Sequence, residues 1–131
     1  MRPAARESYS TTPEDESAYS LYSKGSRLLR EGHPHQAAMF LSRAKLIEPE
    51  KASIREALAR ALFEAGRMSR ARREFAKAVA IDPVNDYAHF GLALACERTG
   101  QRMRAIGHLK LAIAMRPGMS DYERALARLA G

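Results

Sequence analysis

Tryptophan is absent from the 131 residues, and cysteine occurs once, as Cys96. A single thiol closes no internal disulfide and builds no cysteine-based zinc site, so neither a disulfide-stapled scaffold nor a zinc fold is indicated. Long apolar runs are also missing. Nothing approaches the roughly 18 residues that a membrane-spanning helix requires. Glu7, Glu14, Asp15 and Glu16 fall in the first twenty residues, where a signal peptide would be apolar. These absences predict a cytoplasmic chain in a reducing compartment, with no membrane partner. The sequence also lacks a glycine-rich phosphate loop, a nucleophile motif and a pair of carboxylates placed for acid–base work. That predicts a protein that is not an enzyme and takes no cofactor. His33-Pro34-His35 is the nearest approach to a metal pair, but it lies at a proline turn with no acidic or cysteine partner, so no metal site is expected.

What the chain does have is basic charge, with 22 Lys plus Arg against 15 Asp plus Glu, a formal +7. Residues 1–17 set two arginines against four carboxylates, a net of −2 that leaves +9 on the remainder. The basic part is therefore the part expected to fold. Such a charge favours encounter with acidic partners or nucleic acid without identifying a site.

The chain is also periodic. Gly32, Gly66 and Gly100 stand 34 residues apart, as do Ala37, Ala71 and Ala105, and Ala44, Ala78 and Ala112. Pro49, Pro83 and Pro117 close each unit, and Leu41, Phe75 and Leu109 keep the same register. So do Leu28, Leu62 and Cys96, which makes Cys96 a small buried apolar residue and not a nucleophile. Glycine tolerates the left-handed conformation that ends a helix, and proline cannot continue one. Gly25, Ala59 and Ala93 are small on an otherwise bulky face, which predicts close helix crossings there, met by the alanines of the partner helix. Each unit is accordingly a helix, a tight turn and a second helix.

The periodicity predicts helices over about 34–47, 51–65, 68–81, 84–99 and 102–115. Thr12-Pro13-Glu14-Asp15 reads as a helix start, so the first helix is expected over 13–31, longer than its counterparts, behind a flexible tail of residues 1–12. Ser120 with Glu123 reads as a capping box opening a last helix that runs through Leu129. In that helix Leu126 and Leu129 face the array while Arg124 and Arg128 face water.

This spacing and these residue types resemble the tetratricopeptide repeat family. The likeness spans units of about 18–51, 52–85 and 86–119 and a closing helix over 120–131. Lys24 departs from the family's leucine, which Leu58 and Leu92 supply, and Leu21, Arg55 and His89 stand where the family often has tryptophan. The resemblance implies an all-α, right-handed superhelix whose inner wall binds a partner's extended or helical segment. It puts Tyr19, Tyr22, Ser26 and Leu29 on that wall from the first unit. Ser53, Glu56, Arg60 and Phe63 follow from the second, and Tyr87, Phe90, Leu94 and Arg98 from the third, with Arg124 and Arg128 at the far end. Five aromatics converging there, with arginines, have the composition of an interface, so an adaptor or chaperone-like module taking an apolar or aromatic peptide is expected. Some relatives clamp a carboxylate terminus with lysine and asparagine. The matching positions here are Tyr22, Ser26, Ala57, Tyr87 and Gly91, which disfavours Hsp70 and Hsp90 tails.

The second helices carry a different chemistry. Arg67, Arg70, Arg72, Arg73 and Lys77 crowd one of them with only Glu74 among them, and Arg102 and Arg104 continue the stripe. Nucleic acid, held through salt-sensitive phosphate contacts on this outer face, is the secondary partner expectation.

Overall fold

The computed structural model describes residues 17–131. Among them are seven helices: α1 (Ala18–Arg30), α2 (Pro34–Ile47), α3 (Ala52–Glu64), α4 (Met68–Ile81), α5 (Asp86–Arg98), α6 (Arg102–Met115) and α7 (Ser120–Ala130). There are no strands among these residues.

The glycine series ends the first helix of each pair as expected, with φ of +86°, +82° and +80° at Gly32, Gly66 and Gly100. In the first unit the His33 amide donates to the Leu28 carbonyl at 2.8 Å and the Gly32 amide to Leu29 at 3.1 Å. These are the two reversed bonds of a Schellman ending. Arg67 to Leu62 and Gln101 to Cys96 repeat the longer bond at 2.8 Å each. The second helices end at Ile47, Ile81 and Met115, two residues before their prolines.

Two helix starts differ from the sequence expectation. α1 begins at Ala18 and, at 13 residues, matches α3 and α5 in length; Ser17 caps it by accepting a hydrogen bond from the Ser20 amide on its side chain. A hydroxyl in extended conformation immediately before Ala18 satisfies an orphan first-turn donor, which is what the more distant Thr12 was expected to do. Thr12 and Pro13 lie outside the described residues. In α7 the residue before the helix is Met119, and Ser120 is already helical, so its side chain makes no capping bond.

The core forms at the crossings. Leu41, Leu109, Ala37, Ala71, Ala105 and Cys96 are fully buried, and Phe75 nearly so. A Cβ on Gly25 would lie 2.5 Å from Leu41 Cγ, so the small-residue series does mark a close approach. Each helix packs on the next, and the first helices also touch across units, α1 with α3 and α3 with α5. They form one continuous wall. α7 buries Tyr122, Ala125 and Leu129 against the last pair. No helix among the described residues is long and apolar enough to cross a membrane.

A column of paired positions, 19 residues apart, links the two helices of each unit and changes chemistry from unit to unit. In the first it is apolar: buried Leu21, with Phe40 packed on the same cluster. In the second it is ionic. Glu74, nearly buried, accepts from Arg55 Nη1 at 2.9 Å and from Lys45 Nζ of the preceding unit at 2.8 Å, while Arg55 Nε donates to the Pro49 carbonyl at 2.8 Å. In the third it is a pair of imidazoles, His89 and His108, with Nδ1 atoms 3.0 Å apart and rings stacked at 5.2 Å. His89 Nε2 lies 2.8 Å from the Pro83 carbonyl, the counterpart of Pro49. A carbonyl only accepts, so Nε2 carries the proton, His89 Nδ1 accepts, and His108 Nδ1 donates to it. Arg55 and His89 thus do with polar contacts to a carbonyl what a large ring would do by packing.

Candidate functional site

The wall made by α1, α3 and α5 holds two recesses that meet at Arg60. The first, of about 220 Å³, lies between α3 and α5 and is lined by Arg60, Phe63, Glu64, Phe75, Tyr87, Phe90, Gly91 and Leu94. Its floor is the buried Phe75 ring, reached because Gly91 has no side chain: a Cβ there would collide with the ring's Cε1 and Cζ atoms. Its sides are aromatic. Tyr87 and Phe90 stand 6.4 Å apart, and Arg98 stacks its guanidinium over Phe63 at 5.1 Å. Burial, together with Glu56 and Glu64, raises the Tyr87 phenol above its ordinary range against the opposing pull of Arg60, so this hydroxyl stays a donor at neutral pH.

The second recess, of about 400 Å³, runs along α1 and is lined by Tyr19, Tyr22, Ser23, Ser26, Arg30 and Arg60. Tyr19 and Tyr22 also border a cleft of about 290 Å³ lined by Ser53 and Ile54.

The aromatics expected to converge therefore form two groups, Tyr19 with Tyr22 and Phe63 with Tyr87 and Phe90, bridged by Arg60. Glu56 lies on the wall but accepts a hydrogen bond from Asn85 Nδ2 at 2.8 Å. Arg128 sits at the far end, exposed, and donates to Glu97 at 2.6 Å, while Arg124 pairs with Asp121. Leu29 is a correction. It is buried with Leu41, Leu58 and Leu62, because it follows Gly25 by one helical turn and shares the face that packs on α2.

Ser23, Arg30, Glu64 and Phe75 line the recesses without having been expected there. Tyr122 is a further surprise. Its ring packs under Phe90 at 4.7 Å, and its hydroxyl donates to Asp86 Oδ2 at 2.6 Å. Burial and that carboxylate push its phenol far above the usual range. The closing helix thus buttresses the aromatic recess. Tyr122 continues the series of Ile54 and Ala88, both buried, and that register carried the signal.

On the outer face Arg67, Arg70, Arg73, Arg102 and Arg104 are exposed, with Arg72 and Lys77 half-buried. Glu74, the one acid in that run, turns inward to Lys45 and Arg55. Lys77 reaches Glu50 at 3.5 Å. The Cys96 thiol is buried and shifted up by that burial, as suits a packing residue.

Two family models described as tetratricopeptide repeat match the chain, over residues 28–83 and 56–120. Among curated protein sequences none matches. Solved structures similar to it include MamA, at TM-score 0.84 and 20% identity over 87% of this chain and 67% of that one. The first TPR of Spaghetti (RPAP3) bound to an HSP90 peptide aligns at 0.84 and 16%, covering 88% and 92% of the two chains. The second TPR domain of human RPAP3 in complex with an HSP70 peptide aligns at 0.84 and 18%, covering 92% and 99%. Identities this low show a shared fold.

Proposed function

Because the chain belongs to the tetratricopeptide repeat family, we propose that it is a non-catalytic, cytoplasmic protein-binding module, adaptor or chaperone-like, that holds an apolar or aromatic segment of a partner on the wall of α1, α3 and α5. The observation that carries this reading is the recess between α3 and α5. Its aromatic sides are mounted on rigid helices, so little side-chain entropy is lost on binding, and a single anchoring side chain of a partner fills much of its 220 Å³. Structural relatives hold Hsp70 and Hsp90 peptides. Here the clamp positions are Tyr22, Ser26, Ala57, Tyr87 and Gly91, which supply no cation for a terminal carboxylate, so a different partner is favoured.

The test is affinity purification from the native host with mass spectrometry, comparing the parent with Phe63→Ala plus Tyr87→Ala. Phe90 is a poorer probe because it also supports Tyr122. A protein retained at high salt by the parent and lost by the double variant, with melting unchanged, supports the groove; equal retention refutes it. The inward turn of Glu74 favours a second reading, a nucleic-acid-associated role for the outer stripe, since it takes the run's one acid away from the exposed arginines. RNA in the eluate that disappears with Arg70→Glu plus Arg73→Glu would support that one.

A further inference from the structure

The second recess differs from the first in having no acid in its lining and a larger polar share. Tyr19, Tyr22, Ser23 and Ser26 bring hydroxyls, and Arg30 and Arg60 bring guanidiniums. Among the described residues neither arginine makes a salt bridge or hydrogen bond to a carboxylate; of the acids on the wall, Glu56 is engaged by Asn85, Glu97 by Arg128, and Asp86 by Tyr122 and Arg116, while Glu64 borders the first recess beside Arg60. Donor capacity is thus left over on one side of the groove. The donors extend along α1 from Tyr19 to Arg30, a length of about 17 Å at 1.5 Å per residue. A cradle for one phosphate would gather its donors at a point; a track of this length suits several carboxylates spaced along an extended chain of about five residues.

From this charge complementarity we infer that the groove's occupant is an internal acidic stretch of a partner polypeptide. Its Asp and Glu side chains lie along α1 and meet Arg30 and Arg60, and an adjoining apolar side chain enters the recess between α3 and α5. Arg60, which lines both recesses, fixes the spacing between the acids and the anchor. The inference rests on the groove reading above and adds the charge, the length and the order of what is bound.

Fluorescence anisotropy with the full chain tests it. The probe is a labelled, C-terminally amidated ten-residue peptide with four Asp or Glu residues followed by one Phe, compared with a version carrying Gln and Asn for the acids and another carrying Ala for the Phe. Removing the acids should weaken binding about tenfold at low salt, the sum of two exposed charge pairs. Arg30→Ser plus Arg60→Ser should cause the same loss and add little to that of the Gln/Asn peptide. The Phe→Ala peptide and Tyr87→Ala should likewise lose binding together. Equal binding of the Gln/Asn peptide overturns the acidic assignment but leaves the aromatic groove standing. An acid effect that survives while Phe→Ala and Tyr87→Ala change nothing overturns both, because the groove reading then lacks its anchor. Binding of a phosphoserine peptide but not its Glu counterpart overturns the carboxylate track. Loss on Arg70→Glu plus Arg73→Glu in place of the α1 and α3 arginines moves the acid to the outer face and overturns the proposal. Binding that appears only when Glu14→Gln, Asp15→Asn and Glu16→Gln are introduced overturns it in favour of the chain's own acids, and absence of binding by every probe overturns it outright.

Discussion

Glu74→Ala should be among the most damaging single substitutions in the array, although Glu74 sits in a run of surface arginines. Its side chain is 11% exposed and bonded to Arg55 at 14% and Lys45 at 25%. Removing one member of a well-buried ion pair costs about 3–5 kcal/mol, mostly because the partner is left charged and unpaired. Here Lys45 can swing partly into water and Arg55 keeps its bond to the Pro49 carbonyl, so the loss is nearer about 2–3 kcal/mol. For a chain of this size that lowers the melting temperature by about 10 °C. The same contact predicts the acid limb of stability. Burial alone would raise the Glu74 carboxyl, but the bonds and charges of Lys45 and Arg55 outweigh it, and the net shift is downward. The native carboxyl therefore holds its proton more weakly than the unfolded one. Its contribution is complete above the ordinary value of 4.5 and is lost as pH falls below it. Calorimetry of the parent, Glu74→Ala and the triple variant Lys45→Met, Arg55→Met, Glu74→Met at pH 7 checks the reasoning. The triple variant should recover most of the loss, since the column is already apolar in the first unit. A Glu74→Ala melting point within about 2 °C of the parent would refute the ionic account.

The histidine pair gives a pH dependence of its own: burial, then His89 and Arg104, depress the His108 pKa below 6.5. The unfolded chain takes up that proton first, so stability should fall as pH drops below 6.5 in urea titrations, and His108→Gln should flatten the fall. Gly25→Ala should destabilise by about 1 kcal/mol despite better helix propensity, because its Cβ meets Leu41, whereas Gly107→Ala, with open space around it, should stabilise by up to about 1 kcal/mol in denaturant melts. Tyr122→Phe should cost about 1 kcal/mol through the lost bond to Asp86, while leaving the ring beneath Phe90; an unchanged urea midpoint would count against that bond.

The architecture was legible because each repeated residue does a local job. Gly32, Gly66 and Gly100 take a backbone conformation costly to other residues, and Gly25 admits Leu41, so their spacing reports geometry directly. The aromatic recess was legible in outline through Phe63, Tyr87 and Phe90. Its floor was not, since the meeting of Gly91 with Phe75 depends on how two units cross. Leu29 was misplaced because the wall was read from aligned positions without asking which face Gly25 commits. The pairs Arg55–Glu74 and His89–His108 escaped because no residue type recurs in them. Only the separation recurs, and a search for repeated letters passes over it.

That changing column also bears on how the array avoids misassembly. Helix pairs of similar shape can stack in the wrong order, with a unit looped out or a neighbour's unit exchanged into its place. If the second unit were skipped, Lys45 would face His108 in place of Glu74, setting an ammonium beside an imidazole whose charged form burial already disfavours. Arg55 would leave with Glu74, and the stray stack would hold an uncompensated cation at its seam. The junction between the first two units thus carries its own credential, one that a stack without the second unit would fail.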